Sequence, residues 1–301
     1  MVERILLVEP RGFCAGVDRA ITIVEHALHK YGKVYVRHHI VHNEHVVQNL
    51  EKKGAVFVEE LQYIPDGSVV IFSAHGIAPQ VEEEAQQRNL HVIDATCPLV
   101  KKVHVEARRY HQQGMDLVLI GHKGHPEVLG TMGYAPMHLV ENSADVEALP
   151  LLNRPCYLTQ TTLSVDETND IVLALRKKYP VLTTVPLSDI CYATQNRQQA
   201  VKELAKQAEL IIVVGSPQSS NTKRLAEAAE RAGSKAVRIF DRTTLRKEFL
   251  NSRVIGITSG ASTPESDVIG VVEHIRSWYP QARTERVIRA EEHLQFSLPP
   301  L

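Results

Sequence analysis

Apolar positions along the chain fall into three copies of one long pattern. In "AGVDRAITIVEHALHKYG", Val17, Ile21, Val24, Leu28 and Tyr31 recur at steps of four and three, the spacing of one helix face, and Gly32 suits a C-cap. "PLVKKVHVEARRYHQQG" repeats this with Val100, Val103, Ala107 and Tyr110 between a leading proline and Gly114. "YATQNRQQAVKELAKQAE" does so with Val201, Leu204, Ala205 and Ala208. A cysteine stands directly before each predicted helix: Cys14, Cys97 and Cys191. Each helix leads into a run rich in β-branched residues, "KVYVRHHIVH", "DLVLIGHKGH" and "ELIIVVGSPQSS".

The registers agree between copies. His42, His125 and Ser219 each lie 28 residues beyond their own cysteine. A second apolar run follows in each copy, "VVIFSAHG", "CYLTQTTLS" and "VIGITSGAS", reaching His75, Thr161 and Ser262 at 61, 64 and 71 residues, a drift expected of insertions in surface loops. The first two copies then close on strands, "HVIDATC" and "VLTTVPLSDIC", that deliver the next cysteine. The third lacks such a strand, and the N-terminal "RILLVEPRGFC" has its pattern.

These observations predict an α/β fold, a pseudo-threefold trefoil of three α/β lobes, each with a small, mostly parallel sheet, since strands joined through helices prefer right-handed parallel crossovers. Lobe 1 is expected over 14–96, lobe 2 over 97–189 and lobe 3 over 190–285, its sheet completed by a strand at 4–9, with 286–301 left as a tail. Ligands of such sheets sit beyond the carboxyl ends of the strands. The three cysteines and six loops are therefore expected to line one central pocket.

Charge and composition narrow the partners. With 34 basic and 35 acidic residues interspersed over 301 positions, bulk electrostatics points to neither nucleic acid nor an anionic membrane. No apolar run approaches the ~20 residues of a membrane span, and the chain enters a strand pattern at Ile5, so a cytoplasmic location is expected. In that compartment the four cysteines read as thiols, ligands or core filler rather than as a disulfide framework.

Cys156, inside a strand pattern and out of phase with the others, reads as core packing. Cys14, Cys97 and Cys191 share one setting, and helix starts favour thiolates, which are metal ligands. Three equivalent sulfurs argue against pairing, and a structural zinc site usually takes four protein ligands. Three thiolates without a local fourth suit a [4Fe-4S] cluster with one iron open to a ligand, hence substrate chemistry at that iron.

The loops carry groups that a small anionic ligand would need. His42, His75 and His125 are phased with the strands, whereas His38, His39, His45 and His104 read as surface or internally satisfied residues. "GSPQSSN" places Ser219, Ser220 and Asn221 at a helix start, either as an anion cradle or as simple N-capping by Ser220 or Asn221. Glu127, two residues from His125, is either a proton donor aimed into the cavity or a favourable partner of a helix dipole. No glycine-rich nucleotide-binding motif is present, which argues against a nucleotide site.

"RGFCAGVDRAI", "VHN", "FSAHG", "DATCPLV", "GHKGHPEVLGT", "TQTTLS", "DICYATQNRQ", "GSPQSSN" and "TSGASTPE", in this order from Arg11 to Glu265, resemble the 4-hydroxy-3-methylbut-2-enyl diphosphate reductase family, iron-sulfur enzymes of the non-mevalonate isoprenoid pathway. The resemblance implies a trefoil around a [4Fe-4S] cluster held by Cys14, Cys97 and Cys191. It also implies reductive dehydration of the allylic alcohol diphosphate to isopentenyl and dimethylallyl diphosphate. Carried over position by position, His42, His75, Ser219, Ser220, Asn221 and Ser262 would bind the diphosphate with His125 close by. Glu127 would donate the proton and Thr161 would orient the substrate hydroxyl. Reduced flavodoxin or ferredoxin would supply electrons. Two other readings of the same residues are a non-redox hydro-lyase, separable by electron stoichiometry, and a cluster-bearing redox sensor, which would need neither a diphosphate cradle nor Glu127.

Overall fold

The computed structural model describes residues 2–184 and 189–301, and in it each periodic apolar stretch forms the element its spacing predicts. Strand β1 (Arg4–Glu9) leads through the Cys14 loop into α1 (Ala15–Tyr31), followed by β2 (Val34–Arg37), α2 (Glu44–Lys52), β3 (Ala55–Val58), β4 (Val69–Phe72), α3 (Pro79–Gln87) and β5 (His91–Asp94). After Cys97 come α4 (Pro98–Gln112), β6 (Asp116–Ile120), α5 (Pro126–Met132), β7 (Met137–Val140), α6 (Ser143–Ala148), β8 (Pro155–Thr159), α7 (Val165–Lys178) and β9 (Thr183–Thr184). After Cys191 come α8 (Tyr192–Ala205), β10 (Leu210–Val214), α9 (Ser220–Arg231), β11 (Lys235–Ile239), β12 (Val254–Ser259), α10 (Glu265–Trp278) and β13 (Arg283–Ile288).

Three sheets result, with strand orders β3-β2-β4-β5, β7-β6-β8-β9 and β11-β10-β12-β1-β13. Among the described residues every strand pair is parallel. The first and second orders are the same arrangement shifted along the chain, and in the third β1 occupies the place of β5 and β9. Residues 4–9 thus lie in the third sheet, Arg4 to Leu7 pairing with Val254 to Ile257 of β12.

One boundary needs correction. The third copy was expected to lack a closing strand of its own and to end at 285, but Arg283–Ile288 forms β13 and pairs with the other edge of β1 from Arg4↔Arg283 to Glu9↔Ile288. Its sequence, "RTERVI", is charged because it is an edge strand, and charge on an edge discourages further pairing. Arg4–Glu285 and Arg286–Glu9 pairs tie it to β1, so its fit lies in ionic partners that an apolar pattern does not register. The strand expected from "VLTTVPLSDIC" is present as Thr183–Thr184 beside Cys156 and Tyr157, and 185–188 lie outside the described residues.

By internal contacts the chain forms two compact units. One comprises Met1–Ala15, His42–Val46 and Tyr192–Gln295 and contains the five-stranded sheet; the other comprises Gly16–Val41, Val47–Cys191 and Phe296–Leu301 and contains both four-stranded sheets. In the first unit β1 is central and buried on both faces, which is why "ILLV" is continuously apolar. Ile5 packs with Ile255, Ile257 and the α10 residues Val268, Val271 and Ile275. Leu6 and Val8, on the opposite face, pack with Val201 and Leu204 of α8 and Leu225 of α9. In the second unit Val103, Ala107 and Tyr110 of α4 cover Leu117, Leu119, Cys156 and Leu158. No helix among the described residues is long and apolar enough to cross a membrane.

Leu6→Ala, at a position with no exposed surface, is expected to lower stability by about 2–5 kcal/mol in urea unfolding. A loss of under about 1 kcal/mol would mean that β1 is peripheral to its sheet.

Candidate functional site

Each of the three phased cysteines sits between a strand and a helix, and one backbone hydrogen bond recurs at all three. Cys14 N–H donates to the Ala261 carbonyl at 3.2 Å, Cys97 N–H to Ala74 at 3.0 Å, and Cys191 N–H to Thr161 at 3.0 Å. The acceptors stand at the same place in their sheets, two residues beyond the ends of β12, β4 and β8. The helices begin at the very next residue, at Ala15, Pro98 and Tyr192. All three side chains are partly exposed, and a helix start with its unspent N–H groups is a favourable setting for an anionic sulfur. Cys156 differs in every respect: it is wholly buried among leucines, and burial pushes its thiol up to about 11. Its reading as core packing stands.

The first unit gathers Cys14, His42, Ser219, Ser220, Asn221 and Ser262. His42 and Ser219 lie five residues beyond the ends of β2 and β10, as His125 lies five beyond β6, so the constant 28-residue spacing reflects a constant geometry. Ser262 Oγ donates to the His42 carbonyl at 3.0 Å. Asn221 Oδ1 accepts from Ala261 N–H at 3.0 Å, which links it to the residue whose carbonyl holds Cys14. Ser219 caps α9 by accepting from Thr222 N–H at 3.3 Å, so the cap of "GSPQSSN" is one residue earlier than Ser220 or Asn221, which lie inside the helix. Capping orients the helix start and is compatible with anion binding there.

Two glycines let these loops close. A Cβ on Gly260 would lie 2.1 Å from Thr222 Oγ1, and Gly215, at φ +149°, would bring one within 2.6 Å of both Thr222 Oγ1 and Thr263 Oγ1. Thr222, Thr263 and Thr194, which lies 3.5 Å from Asn221 Nδ2, are fully buried supports of this loop cluster. Sequence reading missed them because a threonine at a helix start carries no mark that separates it from an ordinary cap.

The second unit gathers Cys97, Cys191, His75, His125, Glu127 and Thr161. Glu127, in the first turn of α5, is 2% exposed. Thr161 grips both its oxygens, the backbone N–H donating to Oε1 at 2.6 Å and Oγ1 donating to Oε2 at 2.9 Å. Burial pushes the Glu127 carboxyl up to about 7, against the opposing pull of the Thr161 hydrogen bonds, with the Asp189 charge adding to the rise. A carboxyl with that value holds a proton part of the time at neutral pH, which a mere helix-dipole partner would not. His125 caps α5, its Nδ1 accepting from Glu127 N–H at 3.2 Å, so the ring proton belongs on Nε2. The His75 ring meets His125 edge-on, with centroids 5.8 Å apart, and His75 Nδ1 lies 3.3 Å from Ser73 Oγ.

The equivalence drawn between His75, Thr161 and Ser262 is off by one residue at its middle member. His75 and Ser262 stand three residues beyond their strands, and so does Thr162, whereas Thr161 matches Ala74 and Ala261. "TQTTLS" offers several hydroxyls in a row, and spacing alone cannot choose among them.

A family model described as LytB protein matches residues 5–276, nine-tenths of the chain. The chain belongs to the LytB protein family. A relative from Tolumonas auensis named 4-hydroxy-3-methylbut-2-enyl diphosphate reductase is 54% identical over 281 residues, covering 90% of this chain and 91% of its own. One of the same name from a Psychrobacter species is 52% identical over 306 residues, covering 98% and 96%. Among solved structures, the E-1-hydroxy-2-methyl-but-2-enyl-4-diphosphate reductase from Plasmodium falciparum superposes with a TM-score of 0.97 at 42% identity, covering 99% of this chain and 96% of that one. A structure of (E)-4-hydroxy-3-methyl-but-2-enyl diphosphate reductase, described as the terminal enzyme of the non-mevalonate pathway, matches with a TM-score of 0.66 at 34% identity, covering 92% and 100%. The α/β fold with three parallel sheets inferred for this LytB chain is therefore that of solved relatives across nearly its full length.

The four histidines set aside on sequence have structural partners. His104 is buried and stacks on Tyr134 at 4.4 Å, and burial pushes it down to about 4, so it is a neutral core residue. His45 sits between Asp267 at 3.1 Å and Asp241 at 3.4 Å, His38 pairs with Glu59, and His39 meets Phe57 edge-on.

Because the Glu127 carboxyl is raised in the folded protein, its contribution to stability is fully present below its unfolded value near 4.5 and is lost as pH rises through about 7. The stability difference between wild type and Glu127→Gln should therefore move in favour of the glutamine variant between pH 5 and pH 8. Urea midpoints measured for both proteins across that range test this. A difference that stays constant with pH would mean an ordinary carboxylate.

Proposed function

We propose that this LytB chain carries out the reductive dehydration of (E)-4-hydroxy-3-methylbut-2-enyl diphosphate to isopentenyl and dimethylallyl diphosphate, with Cys14, Cys97 and Cys191 holding a [4Fe-4S] cluster. The donor set fits that group. Three partly exposed sulfurs, each at a helix start and each held by the same backbone bond, supply three thiolates, and Cys156, sealed in a leucine core, supplies no fourth. When bound, the cluster supplies electrons and one iron open to an external ligand. In the trefoil reading the three lobes, 14–96, 97–189 and 190–285, bring one sulfur each.

The chain's own residues account for the rest. The diphosphate is held by His42, Ser219, Ser220, Asn221 and Ser262, with His75 and His125 adding imidazole donors, so that its anchored end fixes where the hydroxyl end can reach. Thr161 orients the substrate hydroxyl with the same Oγ1 that contacts Glu127. Glu127 is the proton donor. The C–O bond breaks, the hydroxyl leaves as water with one proton, two electrons enter, and a second proton ends on one or other end of the allyl unit, which gives the two products. Hydroxide is a poor leaving group, and a carboxyl protonated near neutral pH removes that obstacle. The observation that carries this reading is the buried Glu127 gripped at both oxygens by Thr161. The electron donor is a reduced flavodoxin or ferredoxin and the location is the cytoplasm.

Glu127→Gln, purified without oxygen, should retain wild-type iron and sulfide while kcat falls by at least ~100-fold in an assay with reduced viologen. Undiminished turnover would remove Glu127 from the acid role. Serine at Cys14, Cys97 or Cys191 should lower bound iron, and Cys156→Ala should leave it at the wild-type level; equal iron in all four variants would contradict the ligand assignment.

A further inference from the structure

Each cysteine-led helix sends one basic side chain to the segment just ahead of another cysteine. Arg19, five residues past Cys14 on α1, donates from Nη1 to the carbonyls of Ala95 at 3.3 Å and Thr96 at 3.2 Å, the two residues before Cys97. Lys102, five residues past Cys97 on α4, donates from Nζ to Asp189 Oδ1 at 2.8 Å, two residues before Cys191. Arg197, six residues past Cys191 on α8, donates from Nη2 to the carbonyls of Gly12 at 2.8 Å and Phe13 at 3.3 Å, the two residues before Cys14. The helix led by Cys14 thus holds the Cys97 segment, that led by Cys97 holds the Cys191 segment, and that led by Cys191 holds the Cys14 segment. The order closes on itself.

Two of these placements are costly. Arg197 is 1% exposed and Arg19 8%, and a buried guanidinium costs several kcal/mol unless well paired. Arg197 is neutralised by Glu292, both of whose oxygens lie 3.0 Å from Nη1, and it also donates to the Ala193 carbonyl at 3.1 Å. Asp189, wholly buried, passes its hold from Lys102 to the end of β8 by accepting from Thr159 N–H at 3.1 Å. Among the described residues the three acceptors of Arg19 are all carbonyls, the third being Ser297 in the tail at 2.8 Å. A charge spent on carbonyls of the residues preceding a cysteine restrains the backbone there, and restraint at that point decides where the sulfur stands.

We propose that Arg19, Lys102 and Arg197 are positioning residues that together set the places of the three sulfurs, each acting on the cysteine of another copy of the repeat. This rests on the reading that Cys14, Cys97 and Cys191 share one cluster. It assigns a role to the C-terminal tail as well: through Glu292 and Ser297 the tail braces two of the three cations.

The test is the rate at which a ferrous chelator strips iron from the anaerobically purified protein, read beside the urea midpoint of each variant. Arg19→Met, Lys102→Met and Arg197→Met should each lose iron on the order of tenfold faster than wild type at an unchanged or little-changed midpoint. Arg197→Lys and Arg19→Lys, which keep a cation and a donor, should recover most of the slow loss, and Arg109→Met, on an exposed side of α4, should behave as wild type. Lys102 is partly exposed, so Lys102→Met keeps the test decisive where Arg197→Met fails to fold. Wild type with a full iron complement and Met variants that lose it no faster, or faster only in step with a lowered midpoint, would overturn this proposal alone. A wild-type protein that binds no iron would overturn the cluster reading beneath it and this proposal with it.

Discussion

The hydrogen bond from a cysteine N–H to a carbonyl two residues beyond the third strand of a sheet is the constraint on which the rest of this molecule depends. It occurs at Cys14, Cys97 and Cys191 with nearly one length, and each time it joins the loop beyond that third strand to the start of a helix. A parallel sheet leaves its carboxyl edge open for ligands, and this bond places a sulfur on that edge. The carbonyl partners also adjoin the polar side chains of the loops. Ala74 precedes His75, Ala261 precedes Ser262, and Thr161 is itself the residue that grips Glu127. Each cysteine and the polar loop residue beside its carbonyl partner are thus tied together through one hydrogen bond.

The chemistry follows from what is buried beside those loops. Glu127 is taken out of water and held by two donors from Thr161, yet desolvation outweighs the hydrogen bonding and the acid retains a proton near neutral pH. Glu106, on α4 of the second copy, is pushed up to about 7 as well, by burial and by sharing a site with Asp189. Its partners are Lys102 and Asp189 rather than the histidines and Thr161, which places it in the framework that holds the Cys191 segment. A raised carboxyl is informative only together with its neighbours.

Much of the fold was legible because the repeat is written in spacing. Three amphipathic helices each led by a cysteine, a constant distance from cysteine to first loop, and a missing closing strand were enough to place β1 in the third sheet. What stayed hidden was written in other terms. β13 is an edge strand stabilised by Arg4–Glu285 and Arg286–Glu9, and its alternation is charged rather than apolar. The one-residue slip at Thr161 arose because neighbouring hydroxyls in "TQTTLS" are interchangeable by spacing and are separated only by which carbonyl Cys191 uses. Arg19, Lys102 and Arg197 carry no mark in the sequence that separates them from other helix charges; burial and partners do so. Glu127 could be proposed from sequence, but its role turns on burial, which no local pattern reports.

The central claim is that three equivalent sulfurs hold one cluster with a chemically distinct iron. Mössbauer spectroscopy of protein grown on isotopically enriched iron and purified without oxygen addresses it most directly. The account predicts one iron environment distinguishable from the other three, in a ratio of three to one, with the minority signal shifting when the allylic diphosphate is added. Four equivalent irons, a two-iron signature or an absence of cluster iron would contradict it.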